Sequence, residues 1–116
     1  MSQQRWLAVG TLSLALVLGG NSVRGQELPE KVLLDNETVR VVEITFPPGF
    51  KGHAHPAPVN EMAYVLEGEF TVISIPEGKR VLKAGGMDWA AKGTLHSSRN
   101  DSTRPARILV ILFKER

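Results

Sequence analysis

The chain has 116 residues and no cysteine, which excludes a disulfide framework, a thiolate metal site and a lipid-modified cysteine. Its 14 Lys and Arg against 12 Asp and Glu give a net charge of +2, and Arg5 and Arg24, in the first 25 residues, account for the excess. The remainder carries 12 basic and 12 acidic side chains, so it offers no footprint for nucleic acid or an anionic membrane and has room for one domain.

Residues 1–25 read as a signal peptide. Arg5 supplies the positive charge, Trp6 to Leu18 form an apolar run, and small and polar residues follow from Gly19 to Gly25. The run is shorter than the roughly 20 apolar residues that a spanning helix needs. Val23 and Gly25 suit a cut before Gln26, and a cut after Ser22 is the alternative. The protein is therefore expected to be exported, periplasmic or secreted, with no stable membrane insertion once the leader is removed. Residues 26–36 form an N-terminal segment of ambiguous pattern, and 37–116 form the folded domain.

Short strands and turns fill that domain. Thr38 to Phe46 (TVRVVEITF) is rich in β-branched residues and partly alternates, and Pro47-Pro48-Gly49 ends it. Met62 to Leu66 and Phe70 to Ile75 flank Gly68 and read as a hairpin. Arg80 to Ala84 and Met87 to Ala90 flank Gly85-Gly86. Arg107 to Phe113 (RILVILF) is continuously apolar after Arg107, as suits a strand buried on both sides. No helix signal follows residue 36. The class is all-β, a sandwich or barrel.

The three histidines carry the chemistry. His53-Ala54-His55 places two imidazoles at i and i+2, which leave one face of an extended segment. Pro56, Ala57 and Pro58 form a stiff turn that can return Glu61 beside them, and His96 follows Gly93-Thr94-Leu95. Three imidazoles and a carboxylate suit one divalent transition metal: iron, manganese, zinc, nickel or copper. Taken singly, each has a plainer reading: an exposed His-x-His loop, a solvated glutamate, a packed histidine.

The joint pattern resembles the cupin superfamily, in its small single-domain form. A first motif runs from His53-Ala54-His55 through Glu61 to Tyr64-Val65-Leu66-Glu67-Gly68, and a second places Gly85, Gly93, His96 and Asn100 at the family's offsets. The resemblance spans about residues 38–113. It implies a double-stranded β-helix or jelly-roll barrel, with His53, His55, Glu61 and His96 as metal ligands, Gly68, Gly85 and Gly93 at turns, and Asn100 as a loop or hydrogen-bonding residue. Departures are a longer gap from His55 to Glu61, Pro47 and the displaced Gly49 in place of a glycine, Ala91 in place of proline, and Gly86 where aspartate is common.

The expected function is a metal-dependent enzyme acting on a small organic molecule, of dioxygenase, isomerase or lyase type. A non-catalytic module that binds or senses a small ligand or metal is the alternative, and a purely structural metal is a third reading. Met62, Tyr64, Phe70, Val72, Met87 and Trp89 are candidates for a cavity lining or for plain core, and Lys51 and Arg99 for attracting an anionic substrate. A short chain with exposed strand edges is expected to form a homodimer.

Overall fold

The computed structural model describes residues 28–115, so the expected leader lies outside the described residues. Nine strands follow in order: β1 Glu30–Asp35, β2 Val39–Phe46, β3 His55–Pro56, β4 Asn60–Glu67, β5 Glu69–Ile75, β6 Gly78–Lys83, β7 Met87–Ala90, β8 Leu95–Arg99 and β9 Ala106–Phe113. They form two antiparallel sheets, β1-β2-β9-β4-β7 and β3-β8-β5-β6, which face each other as a jelly-roll barrel.

Alternation builds the core. On β2, Val42, Ile44 and Phe46 are fully buried, while the residues between them are only partly covered. β9 behaves the same way: Ala106, Ile108, Val110 and Leu112 point inward, and Arg107, Leu109, Ile111 and Phe113 stand half-covered outside. The expectation that β9 is buried on both sides is corrected. It is a central strand between β2 and β4 with one inner face, and its apolar outer residues stand on a sheet surface. From the opposite sheet Phe70 and Val72 close the core, and Phe46 packs against Phe50 and Phe70 at ring separations of 5.2 and 5.0 Å. Each such side chain contributes about 1.5–3 kcal/mol when fully buried.

The expected hairpin around Gly68 is also corrected. β4 pairs with β7 and β9, β5 pairs with β6 and β8, and the chain crosses from one sheet to the other at Gly68. Gly68 has φ of 86°, and a Cβ there would lie 2.6 Å from the Pro105 carbonyl oxygen. The corner is closed by contact with the β8–β9 loop, so it admits only glycine. Gly85 and Gly93 adopt the same positive-φ conformation at their turns, as expected.

Two features fix the loops around the site. Asn100 is fully buried; its amide donates to the Phe46 and Arg104 carbonyls at 3.0 and 2.8 Å, and its side-chain oxygen accepts from the Ser102 amide and hydroxyl. It ties the end of β2 to the β8–β9 loop, the hydrogen-bonding role expected of it. At the other end Arg40, Asp35 and Lys114 form a buried charged group in which Asp35 accepts from Arg40 at 2.6 Å and from Lys114 at 2.5 Å.

Candidate metal centre

β3 and β8 run antiparallel with His55 directly opposite His96, and their rings stand 4.8 Å apart. β4 belongs to the facing sheet and turns Glu61 inward, 6% exposed, with its Oε2 4.0 Å from Nε2 of His96, itself 8% exposed. The site is thus assembled from both sheets, at one end of the barrel interior.

The long gap between His55 and Glu61 is absorbed without moving Glu61 off its strand. Ala57 exchanges backbone hydrogen bonds with Thr94 and Gly93, both at 2.8 Å, and Ala57 and Val59 are buried. The Asn60 side chain accepts from the Lys92 amide at 2.8 Å and pins the start of β4. The extra residues therefore form an anchored turn, and the β4–β7 register, Glu61 opposite Ala90, sets the carboxylate's height.

Three buried polar atoms here lack a hydrogen-bond partner: Nε2 of His55, Nε2 of His96 and Oε2 of Glu61. An unsatisfied buried polar atom costs about 1–3 kcal/mol, and polar atoms left in this way call for an explanation. The Nδ1 of His55 lies 2.9 Å from the His53 carbonyl oxygen, so Nδ1–H donates and the Nε2 lone pair is left facing inward. The His53 side chain itself is exposed. The structure therefore brings together His55, Glu61 and His96, and leaves the fourth expected ligand on the adjoining loop.

Burial and charge set the protonation states. Burial, the neighbouring His55 and the Arg80 cation hold His96 down at about 4, so its imidazole is neutral at pH 7. Burial first, and the Asp88 carboxylate second, push Glu61 up to about 7. Both shifts disfavour charge in a site that holds no cation; a cation placed there would reverse the preference at Glu61.

Asp88 is the residue that sequence reasoning missed. It is buried on β7, opposite Ala63, and lies 2.5 Å from Arg80 Nη1. Arg80 also donates to Ser74 Oγ at 3.0 Å. The signal was present in the alternation of Met87-Asp88-Trp89-Ala90, which sets Asp88 and Ala90 on one face. Asp88, Glu61, His96, Ser98, Phe70 and Val72 line a cavity of about 350 Å³, counted to its open mouth. Tyr64, Met87 and Trp89 do not line it; Met87 and Trp89 are half exposed on the opposite face of their sheet. Arg99 is bound to Asp101 through two hydrogen bonds of 3.1 and 2.8 Å.

The donor set fits a divalent transition metal: two neutral imidazoles with lone pairs turned inward, and one carboxylate oxygen without a partner. Donors sharing such a metal at about 2.1 Å sit roughly 3 Å apart, whereas Glu61 and His96 stand at 4.0 Å. Among the described residues no group of three or more His, Cys, Asp or Glu is yet close enough to hold an ion together. The remaining closure of about 1 Å is within the reach of side-chain torsions.

The family model described as cupin domain matches residues 42–112. Solved structures share the fold. A cupin domain from Bordetella pertussis is 26% identical, with 76% of this chain and 94% of that one covered at a TM-score of 0.61. An RmlC-like cupin from Shewanella frigidimarina is 25% identical, with 77% and 78% covered and a TM-score of 0.67. The DMSP lyase DddQ from Ruegeria pomeroyi is 20% identical at a TM-score of 0.69, and this chain spans 47% of its length. No curated protein matches the chain.

Proposed function

The chain belongs to the cupin family, and on that premise we propose that it is an exported, metal-dependent enzyme of dioxygenase, isomerase or lyase type acting on a small organic molecule. The observation that carries this reading is the convergence of three partnerless buried atoms, on His55, Glu61 and His96, at the wall of one cavity. His53, on the loop before them, completes the ligand set by turning its imidazole inward.

When bound, the metal supplies Lewis acidity, a water of lowered pKa or, if redox-active, oxygen activation. The chain's own residues do the rest. His53's carbonyl holds the His55 ring in the tautomer that presents Nε2. Burial keeps His96 neutral and available as a donor. Phe70 and Val72 exclude water from one wall, which strengthens every polar contact inside. Asp88, held by Arg80, is a second carboxylate on the same cavity, positioned to accept a hydrogen bond from a substrate hydroxyl.

Export rests on residues 1–25, and the absence of cysteine makes the fold indifferent to an oxidising compartment. N-terminal sequencing of the protein recovered from the periplasm or medium tests it; an intact Met1 contradicts it.

A second reading is a non-catalytic module that binds a small ligand, favoured by the apolar share of the cavity wall, Phe70, Val72 and Val110. Oxygen uptake and product analysis of the iron-, manganese- and zinc-loaded protein against phenolic, diketone and organic-acid compounds separate the two. Turnover supports the enzyme, and ligand-induced stabilisation without turnover supports the module.

A further inference from the structure

The outer face of the five-stranded sheet carries an apolar row that crosses it from edge to edge. The register places Leu34 of β1 opposite Val41, Val41 opposite Ile111, Ile111 opposite Met62, and Met62 opposite Trp89. Directly opposed residues share a face, and the inward neighbours of this row, Val42, Val110, Leu112, Glu61 and Ala90, are buried on the other side. A second row aligns Leu109, Tyr64 and Met87. Trp89 and Phe113 stand 5.9 Å apart on the same surface. Leu34, Met87 and Trp89 are 49, 50 and 54% exposed.

The composition of this face is not that of an ordinary surface. Trp89, Tyr64, Met62 and Met87 are the chain's entire supply of Trp, Tyr and Met beyond Trp6. Aromatic residues and methionine are the types enriched in protein interfaces. None is needed by the barrel core, which is closed by Phe, Val, Ile and Leu.

We propose that this face is the interface of a homodimer, with a second copy of the same chain as its occupant. Charge and size argue for a second copy. At one end of the rows Lys31 lies opposite Glu43, and Arg107 bridges Glu43 and Glu67 at 2.8 Å each. Two bases and two acids close on themselves, so this rim offers no unspent charge to recruit an anionic membrane or a charged partner, and none to repel its own copy. Five strands spaced about 4.8 Å apart, over three outward residues per strand, give a patch of roughly 20 by 24 Å. Two such patches cover about 1,000 Å², the size at which a specific interface begins. The cavity opens inside the barrel, on the other face of this sheet, so pairing here leaves it accessible.

Sedimentation velocity of the full chain as isolated, at about 10–100 µM, tests the proposal together with Trp89→Lys, Ile111→Lys and, as a control on the other sheet, the exposed Val81→Lys. The wild type and Val81→Lys are expected at twice the chain mass. Trp89→Lys and Ile111→Lys are expected as monomers, with at least a tenfold weaker association and an unchanged far-ultraviolet spectrum. Trp89 lies on an edge strand and half in solvent, so its variant keeps the test valid where Ile111→Lys fails to fold. A monomeric wild type overturns the proposal, and amide-exchange protection of β7 and β9 in that monomer would show residues 1–27 covering the face instead. A dimer that survives Trp89→Lys with unchanged affinity also overturns it.

Discussion

His55 and His96 are direct cross-strand partners in a two-residue ladder, with rings 4.8 Å apart and both Nε2 atoms buried without a hydrogen-bond partner. The barrel topology makes this pair from the two ends of the domain's sequence, and Glu61 joins it from the opposite sheet. That juxtaposition carries the metal reading.

Metal binding should depend on these positions unequally. His96→Ala is expected to abolish metal-induced thermal stabilisation, which for the wild type amounts to about 2.7 kcal/mol at a free metal concentration near 100 Kd. His55→Ala should do the same. His53→Ala should weaken binding less, because that imidazole is exposed and must be ordered before it can contribute. Melting curves with and without manganese, iron(II) or zinc check the order; equal losses at His53 and His96 contradict it.

The metal-free protein should show a pH dependence set by the same site. The Glu61 carboxyl lies at about 7 against an ordinary 4.5, so between these values the folded state keeps a proton that the unfolded chain has released, and stability falls as pH rises. His96 lies at about 4 against 6.5, so across that range the unfolded chain holds the extra proton and stability rises with pH. The two slopes oppose each other between pH 4.5 and 6.5, and Glu61 alone acts from there to 7. In chelator, Glu61→Gln should therefore exceed the wild type at pH 8 by about 1–3 kcal/mol, while losing the metal response. Urea titrations at pH 6 and 8 measure it; parallel curves for the two proteins contradict it.

Asn100→Ala should destabilise the fold by about 2–4 kcal/mol, because the carbonyls of Phe46 and Arg104 and the amide of Ser102 lose their partner together. Metal affinity of the folded fraction should change little, as Asn100 holds loops and no metal. Denaturant midpoints combined with a metal titration check both halves.

Gly68→Ala should cost about 2–3 kcal/mol, since φ is 86° and the added methyl meets the Pro105 carbonyl oxygen at 2.6 Å. The equivalent change at Gly85, where nothing lies within 4 Å, should cost less. Equal costs, read from thermal melts, would show that backbone conformation alone matters at both turns.

Much of the fold was legible in the sequence. β7 falls on Met87–Ala90 as read, and β2, β4, β5 and β9 fall within two residues of expectation, because β-branched alternation and Gly or Pro ends mark them. β8 was missed because Leu95-His96-Ser97-Ser98-Arg99 is polar on both faces and its inward residues serve the cavity. β3 has two residues and a proline, below any pattern signal. β1, all but one residue exposed, has no buried face to create alternation. The Gly68 hairpin was misread because spacing reports a reversal of the chain but not which sheet the next strand joins. At the site, residue types named His55, Glu61 and His96, and only the tertiary register distinguished Glu61, turned inward, from His53, left exposed. Asp88 stayed hidden because a single aspartate in a short strand carries no chemical signature until the facing wall is known.

Metal analysis of the purified protein, before and after equilibration with manganese, iron(II), zinc, nickel and copper(II), is the most direct test of the central claim. The account predicts about one tightly held divalent ion per chain, released by chelator and lost in His96→Ala. A protein that stays well below that stoichiometry with every metal, and whose melting temperature no metal moves, would contradict it.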